Sequence, residues 1–174
     1  MQHTLIALVE NKPGVLNRVA SLFRRRNFNI DSLSVGTTEH PDVSRMTIVV
    51  NESVDARLVE ANLYKLVNVI DVQDVTNQAA VTRDLALIKV ECPPEKRAEV
   101  ASLADIFRAK IVDVAKNSVI VEISGTEDKI EGLVELLRPI GILEMVRTGQ
   151  VAMMRGTGVG IRYAPGTNGN GKGH

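Results

Sequence analysis

The chain has no tryptophan, two tyrosines and three phenylalanines among its 174 residues. Its core must therefore be aliphatic, built from Val, Ile, Leu, Ala and Met, and it lacks the exposed rings on which single-stranded nucleic acids stack. There is no surplus of positive charge either: 21 Lys and Arg face 21 Asp and Glu, for a formal net charge of zero. A polyanion binder needs such a surplus to meet phosphates, so a nucleic-acid partner is not expected. A single cysteine, Cys92, rules out an intrachain disulfide. It has no Cys or His companion at zinc-ligand spacing and reads as a structural thiol. No apolar run approaches the length of a membrane span. The first residues, MQHTLIALV, read as a strand and not as a leader peptide, so a cytoplasmic location and no membrane partner are the expectations.

The residues that are present alternate between two periodicities. Leu5 to Val9 is a short apolar strand. From Val15 the spacing becomes helical, with Val15, Leu16, Val19, Ala20, Leu22 and Phe23 on one face and Arg24 to Arg26 at the negative end of the helix dipole. Residues 28–37 are extended, but the alternation of Phe28 and Ile30 slips before Leu33 and Val35, which predicts a bulge near Asp31 and Ser32. A turn at Glu39 to Asp42 leads to a strand carrying Met46, Ile48 and Val50. A helix with Val59, Leu63, Leu66 and Val67 on one face follows, then a strand from Val69 to Val75. The order β-α-β-β-α-β is that of a ferredoxin-like split unit. Two helices cover one face of such a sheet, so the other is expected to meet water or a partner.

The order then recurs. Strands are expected at 85–90, 111–114, 119–123 and 142–153, with helices carrying Val100, Leu103, Ala104 and Phe107 and, after Gly125 to Asp128, Ile130, Leu133, Val134 and Leu137. The fold class is α+β, two tandem ferredoxin-like βαββαβ domains at 1–77 and 83–155 joined through Asn77 to Thr82. Residues 156–174, rich in Gly and polar residues, are expected to be a disordered tail.

No nucleophile, metal or phosphate constellation emerges. His3, His40 and His174 lie at a terminus, in a turn and in the tail, and Gly156, Gly158 and Gly160 precede no helix, so they do not make a nucleotide loop. Neither a catalytic residue, a metal site nor a cofactor of its own is expected. The junction Asn11-Lys12-Pro13-Gly14 is the feature with chemistry. A strand ending at Val9 and a helix opening near Pro13 leave backbone N–H groups free for a carboxylate. Gly14 permits close approach, and Asn11 can accept from an ammonium. Val15, Leu16 and Ile30 would supply an aliphatic wall. That chemistry suits a free α-amino acid, yet the same residues also serve as an ordinary helix opening. Asn29, alone on its strand, reads as solvated.

The stretch ENKPGVLNRVASLFRRRNFNIDSLSVGTTEHPDVSRMTIVV resembles the small regulatory subunits of acetolactate synthase (acetohydroxyacid synthase). So do RDLALIKVECPPEKR, ADIFRAKIVDV and ISGTEDKIEGLVELLRPIGILEMVRTGQVAMMRG in the second half. The likeness runs collinearly from residue 1 to about 156. It implies that the first domain is an ACT domain, an amino-acid sensor that pairs with another copy of itself in a homodimer. It implies a chain without catalysis of its own that activates the large catalytic subunit and confers feedback inhibition by valine in branched-chain amino-acid synthesis, including that of isoleucine. Thiamine diphosphate, magnesium and FAD are then expected in the large subunit. The resemblance also implies that Asn11, Gly14, Val15 and Leu16 of one chain face Asn29 and Ile30 of another around the effector. A free-standing sensor acting on another target is the alternative; an enzyme in its own right lacks any candidate nucleophile or base.

Overall fold

A computed structural model describes residues 2–156 and Tyr163. The described residues fall into two units, one formed by residues up to Val81 together with those from Ala152 onward, the other by Thr82–Val151. The chain is α+β in both, and the two units repeat one plan.

In the first unit, β1 (His3–Glu10), α1 (Val15–Arg26), β2 (Ile30–Thr37), β3 (Val43–Val50), α2 (Ala56–Leu63) and β4 (Val69–Asp74) build an antiparallel sheet in the order β2-β3-β1-β4. Alternation decides what faces the helices. Leu5, Ala7 and Val9 of β1 and Met46, Ile48 and Val50 of β3 pack under Val15, Val19, Leu22 and Phe23 of α1 and under Val59 and Leu63 of α2. Leu33 and Val35 pair opposite Ile48 and Met46, on that same face. The register of β2 shifts between Ile30 and Ser32, where the apolar alternation slips. α1 ends at Asn27 in the left-handed conformation (φ 55°), and Phe28 returns its N–H to Phe23 O at 3.0 Å, closing the last turn.

The buried stripes are narrower than the helical spacing implies. Leu16 is 47% exposed and Ala20 also faces water, because α1 covers only a flat sheet and needs one row of contacts. Val67 is 85% exposed, since α2 stops at Leu63 before its face reaches that residue.

The far face of this sheet departs further from expectation. Ile6, Leu8, Thr47 and Val49 point away from the helices and are all buried. Part of the cover comes from the chain itself. A short strand, described below as β9, returns after the second unit and sets Ala152 against Ile6 and Val75, with Met154 packed alongside. Arg155 donates its N–H to Ala79 O at 2.8 Å, and Arg45 Nη2 donates to Ala152 O at 2.8 Å.

The second unit contains β5 (Ala80–Glu91, entered at Thr82), a 3-10 turn at Pro94–Lys96, α3 (Arg97–Ile106), β6 (Lys110–Val114), β7 (Ser118–Gly125), α4 (Glu127–Leu137) and β8 (Ile142–Arg147), with sheet order β6-β7-β5-β8. Ala86, Ile88 and Val90 join Val119, Val121 and Ile123 beneath Val100, Ala104, Ile130, Leu133, Val134 and Leu137. Cys92 is fully buried in this core. β5 begins five residues before the expected 85, which shortens the link. The single last strand expected over 142–153 is two, β8 and β9 (Val151–Met154). They are parted where Gly149 takes φ 83°.

A polar knot fixes that break. The guanidinium of Arg147 donates twice to the buried Asp84, at 3.0 and 2.8 Å, and once to Glu131, while Thr148 Oγ1 donates to Asp84 Oδ1 at 3.2 Å and accepts from Leu85 N at 3.1 Å. Removing one partner strands a charge in a site with little water. Asp84→Ala is therefore expected to lower stability by about 3–5 kcal/mol in urea unfolding; a loss below about 1 kcal/mol would show that water already screens the pair.

Candidate functional site

The start of α1 is built from three neighbours: the end of β1, the turn between β2 and β3, and the loop before β4. Asn11 donates its backbone N–H to Asp42 O and its side-chain amide to Pro41 O, both at 2.8 Å. The turn is thereby strapped to the junction. Among the described residues no donor reaches Asn11 Oδ1, which keeps one acceptor facing out.

Gly14 is the residue before the helix and sits at φ 84°, ψ −8°, where an L side chain is strained. An added Cβ there would meet nothing within 4 Å, so the space above the junction is open. No side chain caps α1. The contrast with α2 is direct, since Asp55 Oδ1 accepts from Arg57 N at 2.9 Å there. At α1 the first backbone bonds are Val15 N–H to Lys12 O, long at 3.4 Å, and Arg18 N–H to Gly14 O at 3.0 Å. The N–H groups of Leu16 and Asn17 therefore point into the open space without a backbone acceptor. Unpaired amides at the positive end of a twelve-residue helix suit a carboxylate.

The six residues singled out from the sequence separate into two groups. Asn11, Gly14, Val15 and Leu16 lie together at the junction. Val15 is buried in the core of its own unit, so only its backbone faces the site, whereas Leu16 presents its side chain. Asn29 and Ile30 lie at the other end of the sheet. Ile30 and His3 both pair opposite Val50, while Glu10 pairs opposite Val43 and Thr37 opposite Ser44. Seven residues of strand separate the two ends, roughly 23 Å. Within one chain Ile30 is therefore not across the site from Val15 and Leu16. Asn29 is exposed and donates to Asp31 Oδ1 at 3.1 Å.

A further cluster lies beside the junction, with no sequence signal of its own. Asn68, nearly buried, donates to Glu10 Oε2 at 2.9 Å and accepts from Arg18, and Lys12 Nζ lies 2.8 Å from the same Glu10 oxygen. Asn68 O also receives the Glu10 N–H at 2.9 Å. No motif marks these four residues; their link is created by the β1–β4 pairing, which brings positions 58 apart into contact. The Lys12 hydrogen bond, and then that of Asn68, hold the Glu10 carboxyl below its ordinary value. Lys12 and Arg18 thus flank the helix start, adding positive field to its dipole.

Among the described residues, no group of three His, Cys, Asp or Glu could hold a metal ion, and no helix is long and apolar enough to cross a membrane.

Comparison with known proteins gives a consistent result over both units. Residues 5–71 match the family described as the AHAS small subunit-like ACT domain, and residues 83–156 match the small subunit of acetolactate synthase. A probable acetolactate synthase small subunit of Archaeoglobus fulgidus is 55% identical over 159 residues, 90% of this chain and 98% of the relative. The acetolactate synthase small subunit of Bacillus subtilis is 45% identical over 159 residues, covering 90% and 92%. The crystal structure of the acetolactate synthase small subunit of Thermotoga maritima superposes with a TM-score of 0.82 at 42% identity, covering 89% of this chain and 98% of that one.

The Glu10 cluster carries a pH signature. Its carboxyl is depressed in the folded protein, so its contribution is present above the unfolded carboxylate value and disappears as pH falls through the lower folded one. The stability difference between the wild type and Glu10→Gln should therefore be constant near neutrality, shrink once the pH falls below the ordinary carboxylate value, and vanish below the lower folded one. A difference that persists unchanged at pH 2 in thermal melts would mean the cluster acts by packing alone.

Proposed function

Because the chain belongs to the family of acetolactate synthase small subunits, we propose that it binds the large catalytic subunit, raises its activity and makes that activity sensitive to valine. The thiamine diphosphate, magnesium and FAD of the reaction reside in the large subunit on this reading. This chain contributes recognition and no chemical step.

One observation carries the effector assignment: an uncapped helix start opens onto free space, with an outward acceptor on Asn11 beside it. Valine has complementary ends. Its carboxylate takes the N–H groups of Leu16 and Asn17, its ammonium faces Asn11 Oδ1, and its isopropyl group meets the exposed Leu16.

The second wall is supplied by another copy. β2 is an edge strand of the described sheet. A two-fold axis through the middle of β2 would pair it antiparallel with its counterpart. Such pairing sets the beginning of the partner's β2, with its Asn29 and Ile30, beside the end of this β2 at Thr37, which is the end of the sheet where Asn11 lies. The separation of the two residue groups within one chain, a defect for a monomeric site, is what this arrangement requires.

Inhibition follows if valine binds the low-activity arrangement of subunits more tightly than the active one. A coupling of about 1–3 kcal/mol changes the affinity roughly 5–150-fold. Leucine and isoleucine differ from valine by a single methylene, worth about 1–3 kcal/mol in an apolar pocket, so discrimination among them is limited.

Gly14→Asp is the decisive variant. Its side chain enters open space, so the cost to folding is the strain of a left-handed residue, about 1–2 kcal/mol. Its carboxylate occupies the position of the effector's and repels it. Reconstituted with the large subunit, the variant should still activate, and valine should no longer inhibit. Full valine inhibition in that assay would remove the junction from the effector site. Failure of even the wild type to co-purify with a thiamine-diphosphate enzyme would instead favour a free-standing sensor.

A further inference from the structure

The far face of the first unit's sheet carries a second concavity, of about 400 Å3, between the end of β1, the turn that joins β2 to β3, and the returning C-terminal segment. That volume lies at the small end of the range for ligand sites. At its base is Arg45. It pairs in register with Leu8 on one side and with Gly36 on the other, so its guanidinium stands between an apolar side chain and none. An added Cβ at Gly36 would meet nothing within 4 Å, which confirms the clearing.

Arg45 is half-buried, and its one acceptor among the described residues is Ala152 O. Guanidinium has five donors. Among the described residues no carboxylate lies within ion-pair distance, and Glu39 reaches it only at longer range; burial accordingly holds the group below its usual value. A half-buried cation facing a clearing without a counter-ion is a receptor for an anion.

The remaining lining narrows the class. Leu8, Val43 and Met153 supply aliphatic surface. Glu39 at the rim opposes a doubly charged ligand such as phosphate. Tyr163 closes one side, its ring edge-to-face with His40 at 5.1 Å and its hydroxyl 3.4 Å from Asp42 Oδ2. We propose that this groove is a second small-molecule site, on the face of the sheet opposite the helices, and that it takes an aliphatic monocarboxylate whose charge is received by Arg45. It shares the turn with the effector junction, since Asn11 holds Pro41 and Asp42 from the other side. It does not depend on valine being the effector there.

The test is calorimetric titration of the full chain with butyrate, 2-aminobutyrate and butylamine, with the methionine methyl resonances followed in parallel. Butyrate should bind and shift the Met153 methyl; butylamine, with the same body and the opposite charge, should not. Arg45→Gln should weaken butyrate at least about tenfold. Met153→Glu should do the same from a side chain that is 64% exposed, with an unchanged melting temperature. Gly14→Asp should leave butyrate binding intact. Equal binding of 2-aminobutyrate keeps the class and adds Glu39 as the neighbour of its ammonium. No butyrate binding, binding indifferent to both Arg45→Gln and Met153→Glu, or binding lost in Gly14→Asp would overturn the site.

Discussion

A four-stranded sheet with two helices has two faces and cover for one, and this shortage organises the first unit. β1 alternates, so an apolar run of Leu5 to Val9 sends Ile6 and Leu8 to the side the helices cannot reach. A fully buried isoleucine there contributes about 2 kcal/mol only if something dry lies over it. The chain meets part of that demand by sending residues 152–154 back after the second unit, and Arg45 clamps the returning backbone through Ala152 O. The consequence is topological. The second unit is inserted between two segments of the first, so the first is connected to it twice, at Val81 and at Ala152. A fragment cut at residue 81 would keep every element of the βαββαβ unit and still lose the partner of Ile6 and Val75.

The same shortage, now of hydrogen-bond acceptors, marks the candidate junction at the start of α1. Each helix has orphan N–H groups at its start and must find acceptors for them. α2 finds Asp55; α1 has no side-chain cap, and the residue before it, Gly14, is held in the left-handed conformation under open space. Leaving the helix start unsatisfied costs stability and keeps the amides available, which is the condition a carboxylate ligand needs. Lys12 and Arg18 sharpen the preference for an anion, while Glu10 and Asn68 keep both cations anchored beside the opening.

Much of this fold was legible because its determinants are local. The switch from period 2 to period 3.6 at Val15, the slip between Ile30 and Leu33, and the repetition of the order after residue 83 each translate into a strand, helix or bulge at that place. What was not legible depends on pairs distant in sequence. Asn68 looks like any polar residue in a loop until β4 pairs with β1 and brings it to Glu10. Asp84 and Arg147 are 63 apart, and their contact lies at the break between β8 and β9. Leu16 and Val67 fit helical faces on paper, but a helix on a flat sheet buries a single row, and the sheet's position decides which row it is.

The candidate site shows the limit most clearly. Sequence places Asn11 and Asn29 only 18 residues apart, and the split βαβ connection then carries them to opposite ends of the sheet. No rotation of a single chain reunites them, because both are fixed by the register of β3, at Val43 and at Val50. The antiparallel pairing of two β2 edges proposed above would reunite them twice, once at each end of β2. A site made this way cannot be filled without reporting on how two chains meet. A ligand of a few heavy atoms would then bear on a joint between chains and not on one chain's fold, and a coupling of about 1–3 kcal/mol would be enough to shift that joint. Sensing, on that proposal, would be a property of the sheet's edge strand as much as of the residues that touch the ligand.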